Sequence, residues 1–134
     1  MDMNGKWNVY KRGIDGKITK LTPSNGRYYL SCIRPDGKYV VCQGGSFEDY
    51  LRIWRIDTNT KEMYVISPEF KVCWAPSYAW DGTQIVFCAE TKSKDDIQKI
   101  QDMPAFFGPD KTIPMSICIC NDDGGNFRQI TSGE

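Results

Sequence analysis

Apolar residues in this chain fall into short runs, many alternating with polar positions, and the runs come in pairs joined by turn residues. Alternation with period two is the mark of a half-buried strand. The first pair runs Trp7 to Ile14 and Lys17 to Thr22, with Asp15-Gly16 between them; Asp-Gly between alternating runs signals a tight hairpin. Tyr28 to Ile33 and Lys38 to Gln43 follow across Pro35-Asp36-Gly37, where proline presets the first turn dihedral and glycine accepts a positive one. Leu51 to Asp57 pairs with Met63 to Ser67 across Thr58-Asn59-Thr60, and Ser77 to Trp80 with Gln84 to Ala89 across Asp81-Gly82. Ser116 to Asn121 and Asn126 to Thr131 close the series through Asp122-Asp123-Gly124-Gly125. The pattern therefore predicts an all-β chain of ten antiparallel strands in five hairpins. Near-continuous apolar stretches, Tyr39-Val-Val-Cys42 and Ile85-Val-Phe-Cys88, predict sheets covered on both faces.

The hairpins repeat. Asp36 and Asp81 stand 45 positions apart, and so do Thr22 and Ser67. Ile53 to Ile66 spans 13 positions, as does Ile117 to Ile130. Only Ile66 to Ile130 breaks the period, at 64, which leaves 19 extra residues between Glu90 and Met115. A period of about 40–45 residues holding four short strands is the sequence signature of a propeller blade.

The extra segment, 91–113, has a different character. Lys92-Ser-Lys-Asp-Asp-Ile-Gln-Lys-Ile-Gln-Asp102 is polar with Ile97 and Ile100 three apart, which predicts a short one-sided helix ended by Pro104. Behind it lies the apolar stretch Ala105-Phe106-Phe107-Gly108-Pro109. Exposed aromatics favour interfaces, so Phe106 and Phe107 are candidate partner-binding residues; the competing expectation is that they cap the sheet edge. Trp74, in Cys73-Trp-Ala-Pro76, is expected in a connection and is the third candidate. The remaining tryptophans and the tyrosines are expected mainly in the core.

Composition narrows the chemistry. Seventeen basic and seventeen acidic side chains cancel, and no basic block stands out, so neither nucleic acid nor an anionic membrane is an expected partner. No apolar run reaches a membrane span. The start has no apolar signal region, so the cytoplasm is the default expectation, with the periplasm open if the chain is part of an exported protein. The chain contains no histidine, which removes Ser-His-Asp and Cys-His nucleophile systems and every histidine metal site. The six cysteines sit mostly within predicted strands among Val, Ile and Phe, where a thiol packs as a small apolar group. Cys118 and Cys120 should share one strand face, but two thiolates make a poor metal site. Asp122-Asp123-Gly-Gly-Asn126 has oxygen donors suited to calcium and, equally, the residues a turn requires; the turn is the expected role. No catalytic, cofactor-binding or metal-ligating residue is expected, and no cofactor.

The segment Ile117-Cys-Ile-Cys-Asn-Asp-Asp-Gly-Gly-Asn-Phe-Arg-Gln-Ile-Thr131 resembles the second half of a TolB-like propeller repeat, also called the WD40-like or PD40 repeat. The first half of that repeat carries Trp-Ser-Pro-Asp-Gly-Lys before an apolar strand. Arg34-Pro35-Asp36-Gly37-Lys38 keeps Pro-Asp-Gly-Lys, and Ala79-Trp80-Asp81-Gly82 keeps the rest without the proline. The resemblance implies a β-propeller segment over 1–134: a half blade at 7–22, a blade at 28–67, and a blade at 77–131 interrupted by the insertion. Asp36 and Asp81 are expected to bond their own turns.

Two first halves and three second halves make two and a half blades, whereas propellers usually close with four to eight. Two expectations follow. The chain is a fragment of a longer propeller, or it self-associates through unpaired blade edges. The expected function is a non-catalytic interaction or scaffold module. The alternative is a piece of a larger propeller enzyme, of the oligogalacturonate-lyase or peptidase kind, whose catalytic residues lie outside these 134 residues.

Overall fold

A computed structural model describes residues 7–46, 52–68, 72–90 and 115–131. Among these residues every regular element is a strand and every pairing is antiparallel. The strands are β1 (Tyr10–Arg12), β2 (Ile18–Lys20), β3 (Gly26–Ile33), β4 (Tyr39–Ser46), β5 (Arg52–Asp57), β6 (Met63–Val65), β7 (Cys73–Tyr78), β8 (Gln84–Glu90), β9 (Met115–Asn121) and β10 (Arg128–Gln129). They form one two-stranded sheet, β1-β2, and two four-stranded sheets ordered β3-β4-β5-β6 and β7-β8-β9-β10. The predicted helix at Lys92–Asp102, together with Phe106 and Phe107, lies outside the described residues.

One closure is used three times. The Thr22 hydroxyl accepts the Val9 N–H at 3.1 Å, Ser67 accepts that of Ile53 at 3.0 Å, and Thr131 accepts that of Ile117 at 2.9 Å. Beside each, a backbone bond runs back to the same residue: Leu21 to Val9, Ile66 to Ile53, Ile130 to Ile117. An N–H near the start of a strand needs a partner once it leaves water, and a hydroxyl after the last apolar residue supplies it. That explains the recurring Leu/Ile-Thr/Ser ending.

Between the sheets lie two layers of core. Val9 and Leu21 meet Tyr28, Val40, Cys42 and Ile56 in one. In the other, Val41, Ile53 and Ile66 meet Tyr78, Ile85, Phe87, Cys118 and Cys120. Side chains on a strand alternate between faces, so Val40 and Cys42 serve one layer and Val41 the other. The β3–β6 sheet is thus covered on both sides, as its apolar runs predict. Each fully buried aliphatic or aromatic side chain contributes about 1.5–3 kcal/mol.

The first strands of both large sheets carry the same irregularity. Register shifts occur between Tyr29 and Cys32 and between Trp74 and Ser77. Within them Leu30 and Ala75 adopt φ of 49° and 51°, a conformation unfavourable for side chains with a Cβ. This bulge corrects the expected start of β7. Pro76 made Cys73-Trp-Ala-Pro76 read as a connection, yet a proline is accommodated at a bulge on an edge strand, and the strand spans Cys73–Tyr78. Trp80, expected on that strand, stands beyond it at the turn and is 90% exposed.

Candidate functional site

The turns at one end of the two large sheets enclose an open cleft of about 670 Å³, bordered by Arg34, Asp36, Asp81, Thr83, Asp122 and Asp123. Local chemistry shapes each turn. Asp36 accepts the Lys38 N–H, Asp81 the Thr83 N–H and Asp123 the Gly125 N–H, at 2.8–3.0 Å. These are Asx turns, in which a short carboxylate replaces a backbone acceptor, and the expectation for Asp36 and Asp81 holds. Gly124, at φ 85°, lies so near the Ile66 carbonyl that a side chain there would collide with it. That close approach seats the β9–β10 turn against the neighbouring sheet.

Asp122 is the centre of the cleft. Its Oδ2 accepts from Arg34 Nη1 at 2.8 Å and from Arg55 Nη1 at 2.9 Å. Its Oδ1 accepts the Tyr78 hydroxyl at 2.7 Å. Arg55 Nη1 also reaches the Asp122 carbonyl oxygen at 3.0 Å. Arg34 is held from behind by Asp36, and both guanidinium carbons stand 4.6 Å from the centre of the Tyr39 ring, close enough for cation–π attraction. Tyr39 and Arg55 lie on the β3–β6 sheet with Arg34 just beyond β3, whereas Tyr78 lies on the next sheet with Asp122 just beyond β9. The cluster is therefore a charged clamp across the sheet boundary.

The titration of these groups follows from their contacts. The Asp36 bond raises the Arg34 guanidinium above its ordinary value, and reciprocally the Arg34 bond holds Asp36 well below the usual carboxylate range. Burial, then the bond to Asp122, pushes the Tyr78 phenol upward. The Tyr78 phenol, shifted up, is not a general acid or base poised near neutrality. Of the oxygen donors compatible with calcium, both Asp122 oxygens are engaged, by two arginines and a tyrosine, and Asp123 Oδ1 is engaged by its own turn. This geometry fastens sheets together.

All six cysteines are free thiols, with Cys42, Cys73, Cys118 and Cys120 buried. Cys118 and Cys120 share the face turned to the neighbouring sheet. Burial pushes the Cys42 thiol up to about 12 and is the main cause of the rise of Cys120 to about 11. Both are packing groups rather than nucleophiles.

Of the three residues singled out from sequence, Phe106 and Phe107 lie outside the described residues. Trp74 is half-buried on β7 rather than free in a connection; its indole N–H is shielded from solvent and has no hydrogen-bond partner among the described residues. Trp54 instead donates to the Gly44 carbonyl at 2.9 Å. Trp7, 50% exposed, joins Trp80 outside the core. Sequence reading passed over Arg34, Arg55, Tyr39 and Tyr78. The available signal was Arg55, a charge within the apolar run Ile53-Trp-Arg-Ile56, on a sheet expected to be covered on both faces.

No protein-family model matches the chain, and no curated protein does. Solved structures do. A protein assigned as TolB in Agrobacterium tumefaciens aligns with a TM-score of 0.67 and 24% identity over 91% of this chain and 40% of its own. A puromycin-hydrolysing peptidase of Mycobacterium tuberculosis aligns at 0.66 and 19% identity, over 99% of this chain and 19% of its own. An oligogalacturonate lyase in complex with manganese aligns at 0.64 and 17% identity, over 96% and 34%. These likenesses carry the fold: the chain has a TolB-like propeller fold. It spans two fifths or less of each of these three structures.

Proposed function

We propose that this chain is a non-catalytic, TolB-like propeller module that acts as an interaction or scaffold unit, its hairpins being halves of the PD40 type of repeat. One observation carries the reading. The ionisable side chains that converge in the cleft spend their bonding capacity on one another and on their own turns: Arg34, Arg55, Tyr78 and Asp122 across the sheets, Asp36 and Asp81 within them. Among the described residues, strand edge and apolar surface remain uncovered. Ile117 and Ile130 are 44% and 59% exposed, although their counterparts Val9, Leu21, Ile53 and Ile66 are buried beneath a neighbouring sheet. Such edges and faces take a protein partner or a second copy.

A second reading is favoured by the lengths of the structural neighbours. The peptidase and the lyase extend far beyond the part this chain matches, so the chain also fits as a piece of a propeller enzyme with its chemistry elsewhere. Light scattering after size exclusion, combined with thermal melting of the 134-residue chain, separates the two. A single species that melts cooperatively supports the module. A polydisperse sample without a cooperative transition supports the piece of an enzyme.

A further inference from the structure

Two asparagines of the chain, Asn4 and Asn25, stand directly before a glycine, and of the two only Asn25 belongs to the described residues. Packing explains why glycine follows it. A Cβ at position 26 would collide with the Gly45 carbonyl oxygen across the β3–β4 pair, so the fold admits no side chain there. Gly26 itself is buried, whereas Asn25, the last residue of the connection from β2, is exposed.

The Asn25 carboxamide makes no hydrogen bond to the described residues, so nothing among them holds it away from the next peptide nitrogen. Tyr28 directs its N–H to the Trp7 carbonyl at 2.9 Å, away from β4. Backbone groups alternate in direction along a strand, so the Gly26 N–H, two residues earlier, also points away from β4. Attack by that nitrogen therefore breaks no bond of the β3–β4 ladder. Glycine has no Cβ to shield its nitrogen from the preceding side chain.

We infer that Asn25-Gly26 is a self-modification site, at which the asparagine converts to aspartate or isoaspartate with water as the only co-reactant. The deprotonated Gly26 nitrogen bonds to the side-chain carbonyl carbon of Asn25. The carboxamide carbon–nitrogen bond breaks, and ammonia leaves with the proton. Water then opens the resulting cyclic imide. Opening at the side-chain carbonyl gives aspartate; opening at the main-chain carbonyl gives isoaspartate, which routes the backbone through the side-chain carbon. Either product adds a carboxylate to a chain of zero formal net charge. Isoaspartate also lengthens the main chain immediately before β3, where the close approach of Gly26 to Gly45 leaves least room.

The test incubates the full chain, carrying Asn4→Gln and kept reduced, in mildly alkaline buffer with and without urea. Anion exchange follows the charge, and peptide mapping with fragmentation separates aspartate from isoaspartate. An acidic species that maps to position 25 and contains both products is expected. Asn25→Gln should abolish it, because the longer side chain closes the ring poorly. Opening of a surface connection costs little, so the folded rate should lie within about tenfold of the rate in urea. Asn59, Asn121 and Asn126, each followed by a residue with a side chain, should stay intact over the same interval. Conversion at position 25 in urea but not in the folded chain overturns the inference, since the fold then holds the two groups apart. Conversion in neither state overturns it as well, and so does conversion at the other three as fast as at Asn25, since glycine then does not direct the reaction.

Discussion

Arg55 and Asp122, 67 residues apart in the chain, meet across the boundary of two sheets through a single nitrogen that bonds both the carboxylate and the carbonyl oxygen of the aspartate, at 2.9 and 3.0 Å. Asp122→Ala leaves two guanidinium groups and a phenol without their shared acceptor. The expected loss is about 2–3 kcal/mol of folding stability, read as a melting temperature lower by roughly 5–10 °C. Asp122→Asn should fall between the two, because an amide oxygen keeps one acceptor while the charge is gone. If Asp122→Ala melts like the parent, the clamp contributes nothing to the fold.

The hydroxyl closures should differ in weight although their geometry is shared. Thr22 and Ser67 are buried, whereas Thr131 is exposed. Thr22→Ala and Ser67→Ala each strand a buried N–H and should cost about 1–2 kcal/mol in denaturant unfolding. Thr131→Ala should cost well under 1 kcal/mol, since water can replace the hydroxyl. Equal costs at all three positions would mean that burial does not set the value of the bond.

Acidification should weaken the fold. Asp36 is held low first by Arg34 and then by the Lys38 N–H, Asp57 by the N–H groups of Thr60 and Asn59, and Asp81 by that of Thr83. A carboxyl depressed in the folded state stabilises it above the unfolded value of about 4 and loses that contribution as pH falls through the folded value. Glu90, raised by burial, works in the opposite sense: its contribution is fully present below the unfolded value and is lost as pH rises through the folded one. Three depressed groups against one raised group make the net effect a falling melting temperature below about pH 4. A flat profile from pH 7 to 3 would contradict the turn assignments.

Thiol labelling at pH 8 should separate the cysteines by position. Cys32 and Cys88 are half-buried, and the other four are buried. Peptide mapping should find Cys32 and Cys88 modified first, with Cys42 and Cys120 protected until the chain unfolds, since burial raises both thiols and the thiolate is the reactive form. Early labelling of Cys42 would contradict the packing of β1-β2 onto the neighbouring sheet.

Local chemistry made the fold legible. Asp36-Gly37 and Asp81-Gly82 mark turns because aspartate bonds the backbone two residues on and glycine accepts positive φ, and both do so here. The spacing of Thr22, Ser67, Ile53 and Ile117 disclosed the repeat because each closure is a bond between residues 13 or 14 apart. The clamp was not legible. Asp122 meets Tyr78, Arg55 and Arg34 over 44, 67 and 88 positions, and the same aspartate in isolation is indistinguishable from a turn residue. Trp74 was misplaced for a related reason: Pro76 reads locally as an interruption, and only pairing with β8 around a bulge makes it strand.

Residue-resolved amide hydrogen exchange on the chain alone tests the account most directly, because blades that stack as a propeller segment must protect the closures buried between them. The account predicts that Ile53 and Ile66, bonded through Ser67 and the β5 backbone, exchange slowly, while Ile117, closed by the exposed Thr131, exchanges faster. Exchange at Ile53 and Ile66 as fast as at Ile117 would contradict it, since the sheets would then not cover one another in solution.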